Sequence, residues 1–310
     1  MTSTPNVAVV QAGSVLGDTT RTLQKLERLC TQCAERNVQM ALFPEAFIGG
    51  YPKGLLFGAS LGIRTEAGRD LFQAYANCAI EVPSSTTAQI GDIAKGASLT
   101  LVVGVVERDA GTLYCTALYF GSDGRLLGKH RKLIPTATER LIWGCGNGST
   151  LDVFSTELGR IGALICWENY MPLARMAMYT RDVQIYCAPT VDDRDAWITT
   201  MKHIAREGRC FVLSSCQALT RDAYPKEWLE SAENLPDVPI RGGSCIVGPM
   251  GEMLAGPVYG EEAIVSAKID LGLLTKAKFD FDVVGHYARP DVFEFAVKPG
   301  NAVVGGMPRR

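Results

Sequence analysis

Histidine is scarce, at three residues (His130, His203 and His286), and no H-E-x-x-H pair is present, which argues against a histidine-built metal centre. A basic excess is lacking too: 31 Lys and Arg against 33 Asp and Glu leave a net charge of −2. Nucleic acid and anionic membranes are therefore poor partners. No apolar run approaches the roughly 20 residues that span a bilayer; the longest, such as 99–106, are strand-sized. The opening Met1-Thr-Ser-Thr-Pro-Asn has no charged n-region and leads directly into a strand pattern, so no secretory leader is expected. Nor does a linker rich in Pro, Gly and Ser divide the 310 residues. One domain over 1–310 is expected, in the cytoplasm. At 47% hydrophobic and 21% charged the chain is neither disordered nor fibrous.

Cysteine, by contrast, is plentiful, with ten residues. Without an export signal these are expected as free thiols, most of them small core hydrophobes. Only Cys30 and Cys33 form a C-x-x-C, inside a stretch of helical periodicity and with no second pair to complete a zinc site, so packing is the expected role.

Periodicity places a strand at 7–10, a helix over 19–36 and a strand at 38–43 ending in Pro44-Glu45. A long loop follows from Gly49-Gly-Tyr-Pro-Lys-Gly54, then helices over 69–80 and 86–96. Strands at 100–106, 112–120 and 126–132 come next, with Ser122-Asp-Gly124 as a hairpin turn. After a loop holding Gly144, Gly146 and Gly148, strands at 151–154 and 160–165 lead into Cys166. A helix after Pro172 runs to about 181, followed by a strand at 184–188, a helix over 193–208 and a strand at 210–216. A polar loop over 220–241 precedes strands at 244–247 and 263–267 and a short helix at 271–278. Two halves rich in βα units and hairpins imply two sheets packed face to face with helices outside.

Three positions carry chemistry. Glu45 ends an apolar strand run, Met40-Ala-Leu-Phe-Pro44, where a carboxylate is desolvated unless a cation meets it. It lies where α/β proteins gather ligand sites, beyond the carboxyl end of a strand. Cys166 occupies the same kind of position after the buried-strand run at 160–165, and a thiol at a strand-to-helix turn suits a nucleophile. Lys129-His-Arg-Lys132 ends a strand, and alternation sends His130 and Lys132 to one face and Lys129 and Arg131 to the other. Glu139 and Arg140 follow, as a local surface salt bridge in their plainest reading. The glycines at 144, 146 and 148 are read as a loop shaping a pocket, because no G-x-x-x-x-G-K-[ST] and no immediate helix supports a nucleotide turn.

Phe43-Pro-Glu-Ala-Phe, Lys129-His-Arg-Lys-Leu-Ile-Pro-Thr136 and Leu164-Ile-Cys-Trp-Glu-Asn-Tyr-Met-Pro-Leu-Ala-Arg175 together resemble the nitrilase superfamily of carbon–nitrogen hydrolases. The stretches 139–151, 186–195 and Gly285-His-Tyr-Ala-Arg-Pro-Asp291 resemble nitrilases proper, so the similarity runs from about residue 5 to about 295. The resemblance implies an α/β fold, a four-layer αββα sandwich, with a short tail from about 296. It implies Glu45 as base, Lys132 as cation, Cys166 as nucleophile and Glu139 as a second glutamate beside them. Tyr51, Trp143, Trp167 and Thr190 fall at pocket positions that resemble the family's. No metal or organic cofactor is implied. The expected activity is hydrolysis of a medium-sized organic nitrile to the acid and ammonia through a thioimidate and a thioester. An amide-hydrolysing or nitrile-hydrating member of the same fold is the alternative, and a non-catalytic scaffold a more distant one. A homodimer or higher homo-oligomer is expected; the tail is shorter than in many nitrilases, which leaves extended filaments an open question. Cys145 stands where the family often has a bulkier residue. Burial should raise the pKa of Glu45 while Lys132 opposes the rise, and sequence leaves the winner open.

Overall fold

The computed structural model describes residues 4–232 and 234–298, together with the backbone of 303–304 and 307–308. The start at 1–3 and most of the tail expected from about 296 lie outside the described residues. The first half runs β1 (Asn6–Gln11), α1 (Thr19–Glu35), β2 (Met40–Leu42), α2 (Glu66–Ala76), α3 (Ser85–Gly96), β3 (Thr100–Asp109), β4 (Thr112–Phe120) and β5 (Leu126–Arg131). It continues with β6 (Phe154–Thr156), β7 (Gly159–Ala163), α4 (Pro172–Tyr179), β8 (Ile185–Thr190), α5 (Asp195–Gly208) and β9 (Phe211–Cys216). Then come β10 (Ala218–Leu219), α6 (Lys226–Ser231), β11 (Ile240–Val247), β12 (Met253–Tyr259), β13 (Ala263–Lys268) and α7 (Gly272–Asp280).

One sheet has the order β13-β1-β2-β3-β4-β5, the other β10-β11-β9-β8-β7-β6 with β12 added on β11. β1, β2 and β3 are parallel, as are β7, β8 and β9, and the helices between them supply the crossovers that parallel strands need. Side-chain alternation then makes the layers. Val7, Val9, Met40, Leu42 and Val102 face Ile161, Ala163, Ile185, Cys187 and Phe211 of the other sheet in a central core. Their neighbours Ala8, Val10, Ala41, Leu101 and Val103 point the opposite way, onto Leu23 and Leu26 of α1 and Ile90 of α3. On the far side, Tyr186, Ala188 and Val212 meet Ala177 and Met178 of α4 and Trp197 and Met201 of α5. Three apolar seams between four layers give the αββα sandwich.

Local chemistry explains the element ends. The Asp18 side chain accepts from Arg21 N (2.8 Å) to cap α1, and Ser84 and Thr87 close a capping box on α3. Cys30 and Cys33 are buried on the sheet-facing side of α1, as packing residues, and all ten cysteines are free. Differences from the sequence reading include element ends and two added elements. The strand expected at 151–154 begins only at Phe154, because Gly148–Thr150 forms a 3-10 turn capped by Asn147. The loop expected over 220–241 contains α6, whose one buried residue, Trp228, docks it. β12 is a strand absent from the sequence reading; its Gly256-Pro257 lies at the sheet's edge on an irregular register, where proline is tolerated.

Candidate active site

Glu45, Lys132 and Cys166 each follow the last residue of a strand or lie a few residues beyond it, and all three are buried. Glu45 sits in the turn after β2, where Ala46 adopts a left-handed φ of 50°. Gly104 of β3 passes directly beneath: a Cβ there would stand 2.2 Å from Pro44 O and 2.8 Å from Glu45 Cα. The carbonyl of Glu45 accepts from Gln217 Nε2 (2.8 Å), which ties this turn to the second sheet. Lys132 follows β5, its backbone N–H donating to Cys115 O (2.8 Å) and its carbonyl accepting from Gly146 N (2.7 Å).

Cys166 follows β7 with a φ of 51°, a region that a non-glycine residue adopts only when its surroundings hold it there. The hold is visible: Asn169 Nδ2 donates to both Leu164 O and Cys166 O (2.8 Å each), and Asn169 Oδ1 accepts from Tyr186 Oη (2.8 Å). Thr190 Oγ1 lies 3.2 Å from Cys166 Sγ.

The lysine joins the carboxylates. Its Nζ is 2.7 Å from Glu45 Oε1 and 2.8 Å from Glu139 Oε2. Glu139 also accepts from Thr136 N (2.6 Å) and, through Oε1, from Tyr51 Oη (2.7 Å). Its bland reading as a partner of Arg140 does not hold, since Arg140 Nε donates to Pro135 O instead. The alternation expected along 129–132 does hold: Lys129 and Arg131 both bind Glu107, while His130 and Lys132 are buried away from it.

Burial wins at Glu45, raising its pKa from 4.5 to about 6 against the pull of Lys132, with Glu139 adding to the rise. Burial also pushes the Cys166 thiol well up, the Glu45 charge adding and Lys132 opposing. Lys132 is held protonated: burial lowers its pKa, but the charge of Glu45 raises it further, with Glu139 adding. At neutral pH the resting site is a carboxylate, an ammonium and a thiol. Glu45 Oε2 has no hydrogen-bond partner among the described residues, which leaves it an acceptor for an incoming proton.

Cys166 is not sealed off. With Tyr51, Lys53, Thr136, Glu139, Trp167, Val191, Asp192, Asp193 and Arg194 it lines a surface cavity of about 200 Å³. Trp167 stands at the mouth, 42% exposed, its Nε1 donating to Asp192 Oδ2 (2.9 Å) and the Arg194 guanidinium lying 5.0 Å from its ring. Tyr51 and Trp167 are thus wall residues and Thr190 touches the sulfur. Trp143 lies deeper, edge-on to Tyr51 at 5.7 Å, with its Nε1 donating to Tyr75 Oη (3.2 Å). Cys145 is exposed and not on the lining. Sequence reasoning missed Cys115, whose Sγ is 3.5 Å from Glu45 Oε1, and Gln217; both are strand or strand-end residues with nothing local to mark them. Among the described residues no cluster of three or more His, Cys, Asp or Glu could hold a metal ion, and no helix is long and apolar enough to cross a membrane.

The chain as a whole is similar to known proteins in sequence and in fold. Residues 6–279 match the family model described as carbon-nitrogen hydrolase. Over 300 residues the chain is 55% identical to an aliphatic nitrilase of Sinorhizobium fredii (strain HH103), covering 96% of this chain and 97% of that one. It is 53% identical over 308 residues to a bifunctional nitrilase/nitrile hydratase, NIT4A, of Lupinus angustifolius, covering 97% and 88%. Among solved structures, a carbon-nitrogen hydrolase from Helicobacter pylori G27 superposes with a TM-score of 0.73 at 19% identity, over 94% of this chain and 97% of the other, a likeness of fold.

Proposed function

The chain belongs to the carbon-nitrogen hydrolase family, and from that premise we propose that it is a nitrilase in which Glu45, Lys132 and Cys166 carry the reaction. The observation that carries this reading is the ammonium of Lys132 held between two buried carboxylates beside a thiol that opens on a surface cavity.

A nitrile carbon is a modest electrophile, and the thiol of Cys166 is un-ionised at rest. Attack therefore proceeds with transfer of the thiol proton to Glu45, which passes it to the nitrile nitrogen; the S–C bond forms as one C–N π bond opens, giving a thioimidate. Lys132 and a backbone N–H near Trp167 stabilise the negative charge that develops on nitrogen. One such donor is typically worth about 3 kcal/mol in the transition state. Water then adds to the thioimidate carbon, its proton taken by Glu45, while Glu139 fixes Lys132 and the base. Expulsion of ammonia leaves a thioester, and a second water releases the carboxylic acid and restores the thiol. Tyr51, Trp143, Trp167 and Thr190 are read as the substrate wall and its support, with room for a small or medium-sized organic nitrile.

The 53% identity to a relative named as both nitrilase and nitrile hydratase favours a second product. If the tetrahedral intermediate expels the thiol rather than ammonia, the amide is released. We read the chain as a single cytoplasmic domain acting as a homodimer or higher homo-oligomer. Ten free cysteines support a reducing compartment. A panel of aliphatic, arylalkyl and aromatic nitriles, assayed for ammonia, acid and amide, tests the function. Acid with equimolar ammonia is expected; release of neither product from any nitrile, with amides hydrolysed instead, would reassign the chain to an amidase.

A further inference from the structure

Two residues away from Cys166, and absent from the chemistry above, another buried carboxylate joins the two sheets. Glu168 is 1% exposed, and each of its oxygens accepts from a backbone amide of a different sheet's strand end. Oε1 accepts from Leu133 N (2.6 Å), the residue immediately after Lys132. Oε2 accepts from Ile165 N (2.7 Å), the residue immediately before Cys166. His130 Nε2 lies 3.1 Å and 3.0 Å from the same two oxygens and closes the carboxylate from the third side. The other ring nitrogen, Nδ1, faces Thr150 O at 3.1 Å and Thr150 Oγ1 at 3.2 Å, so the imidazole is itself fixed, with Nε2 directed at the carboxylate.

Leu133 extends β5 of the first sheet and Ile165 extends β7 of the second. We infer that Glu168 is a positioning residue, a clasp that sets the distance between the ammonium of Lys132 and the sulfur of Cys166 by bonding the backbone neighbours of both. The inference rests on the reading of Cys166 as nucleophile and Lys132 as cation. A carboxylate suits the task because it presents two acceptors and no donor to amides that can only donate. The left-handed backbone at Cys166 needs such a hold, and Glu168 and Asn169 supply it from the two sides of the turn. The chemistry is sensitive to this distance, since a displacement of about 1 Å at a reacting group costs about 100-fold in rate.

Glu168→Gln keeps the shape but turns an NH₂ toward one of the two amides, so one side of the clasp opens. Glu168→Asp is one methylene shorter and cannot reach both amides. Each is expected to lower kcat by about 100-fold with KM within about threefold. The discriminating measurement is site-resolved alkylation by iodoacetamide in the folded protein. A clasp predicts that Cys166 reacts more slowly in Glu168→Gln while the other buried cysteines stay as protected as before. A generally loosened fold would expose them all. His130→Gln leaves both backbone donors in place and is expected to lower kcat by less than about tenfold, again with slower alkylation at Cys166; it decides the matter if neither Glu168 variant folds. Wild-type kcat in folded Glu168→Gln, faster alkylation of Cys166 together with its fellow cysteines, or an unaltered His130→Gln where it alone folds, would overturn the proposal. Cys166→Ala separates this from the underlying reading: if that variant still turns over nitrile, the nucleophile assignment fails first.

Discussion

Replacing Lys132 with methionine removes a charge from between two carboxylates and keeps an unbranched side chain that is one atom shorter. The amine sits 2.7 Å from Glu45 and 2.8 Å from Glu139 with no exposure of its own. At an effective dielectric of about 20, opposite charges some 4 Å apart attract by about 4 kcal/mol, in line with the roughly 3–5 kcal/mol that breaking a buried pair costs. The variant answers by taking up a proton. Glu45, at about 6 with the lysine present, moves higher without it and is protonated at neutral pH, where it no longer accepts the thiol proton. Loss of the charge stabiliser costs about 3 kcal/mol and the protonated base adds to it, so kcat at pH 7.5 is expected to fall by at least about 10³-fold. The stability change has a definite sign. A carboxyl whose folded pKa exceeds its unfolded value of 4.5 favours folding most below that value, and the benefit is lost as pH rises through the folded pKa. In the wild type that window closes near pH 6; in Lys132→Met it extends upward. Urea unfolding at pH 5, 6.5 and 8 should therefore show the gap between the two proteins widening with pH. A constant gap, or a kcat within about tenfold of wild type, would refute the electrostatic role assigned to Lys132.

The same carboxyl predicts the acid limb of the wild-type pH profile: kcat/KM should fall below a pKa of about 6, and a profile flat to pH 5 would show that Glu45 is not the base. Tyr51→Phe deletes the 2.7 Å bond to buried Glu139 and is expected to lower kcat by about tenfold or more, measured as ammonia release; an unchanged rate would make Tyr51 a wall residue only. Gly104→Ala drives a Cβ to 2.2 Å from Pro44 O, a backbone atom that cannot swing away. It should cost about 1–3 kcal/mol of stability and displace Glu45, with kcat falling alongside, whereas wild-type values for both would contradict the close approach.

Much of this site was legible because strand grammar is local. An apolar run that stops at Glu45, and another that stops at Cys166, mark the carboxyl ends of buried strands without reference to the rest of the chain. Alternation along 129–132 correctly separated Lys132 from Arg131. What eluded sequence depends on partners brought from far away. Glu139 beside Arg140 looks like a surface pair until Lys132 and Tyr51 are seen to hold it. Cys115 is one apolar-looking residue in an apolar strand, and only the fold aims it at Glu45. Glu168 resembles a solvent-facing glutamate until two strand ends converge on it. β12, absent from the sequence reading, carries a Gly-Pro pair that matters less at an edge than within a sheet.

The central claim is a covalent bond between substrate carbon and one cysteine sulfur among ten. Acid-quenching the protein during nitrile turnover and mapping the adduct by peptide mass spectrometry tests it directly. The account predicts the thioimidate or acyl mass on the peptide bearing Cys166, at no other cysteine, and its disappearance together with turnover in Cys166→Ala. Turnover that persists in Cys166→Ala, or an adduct carried by another residue, would contradict it.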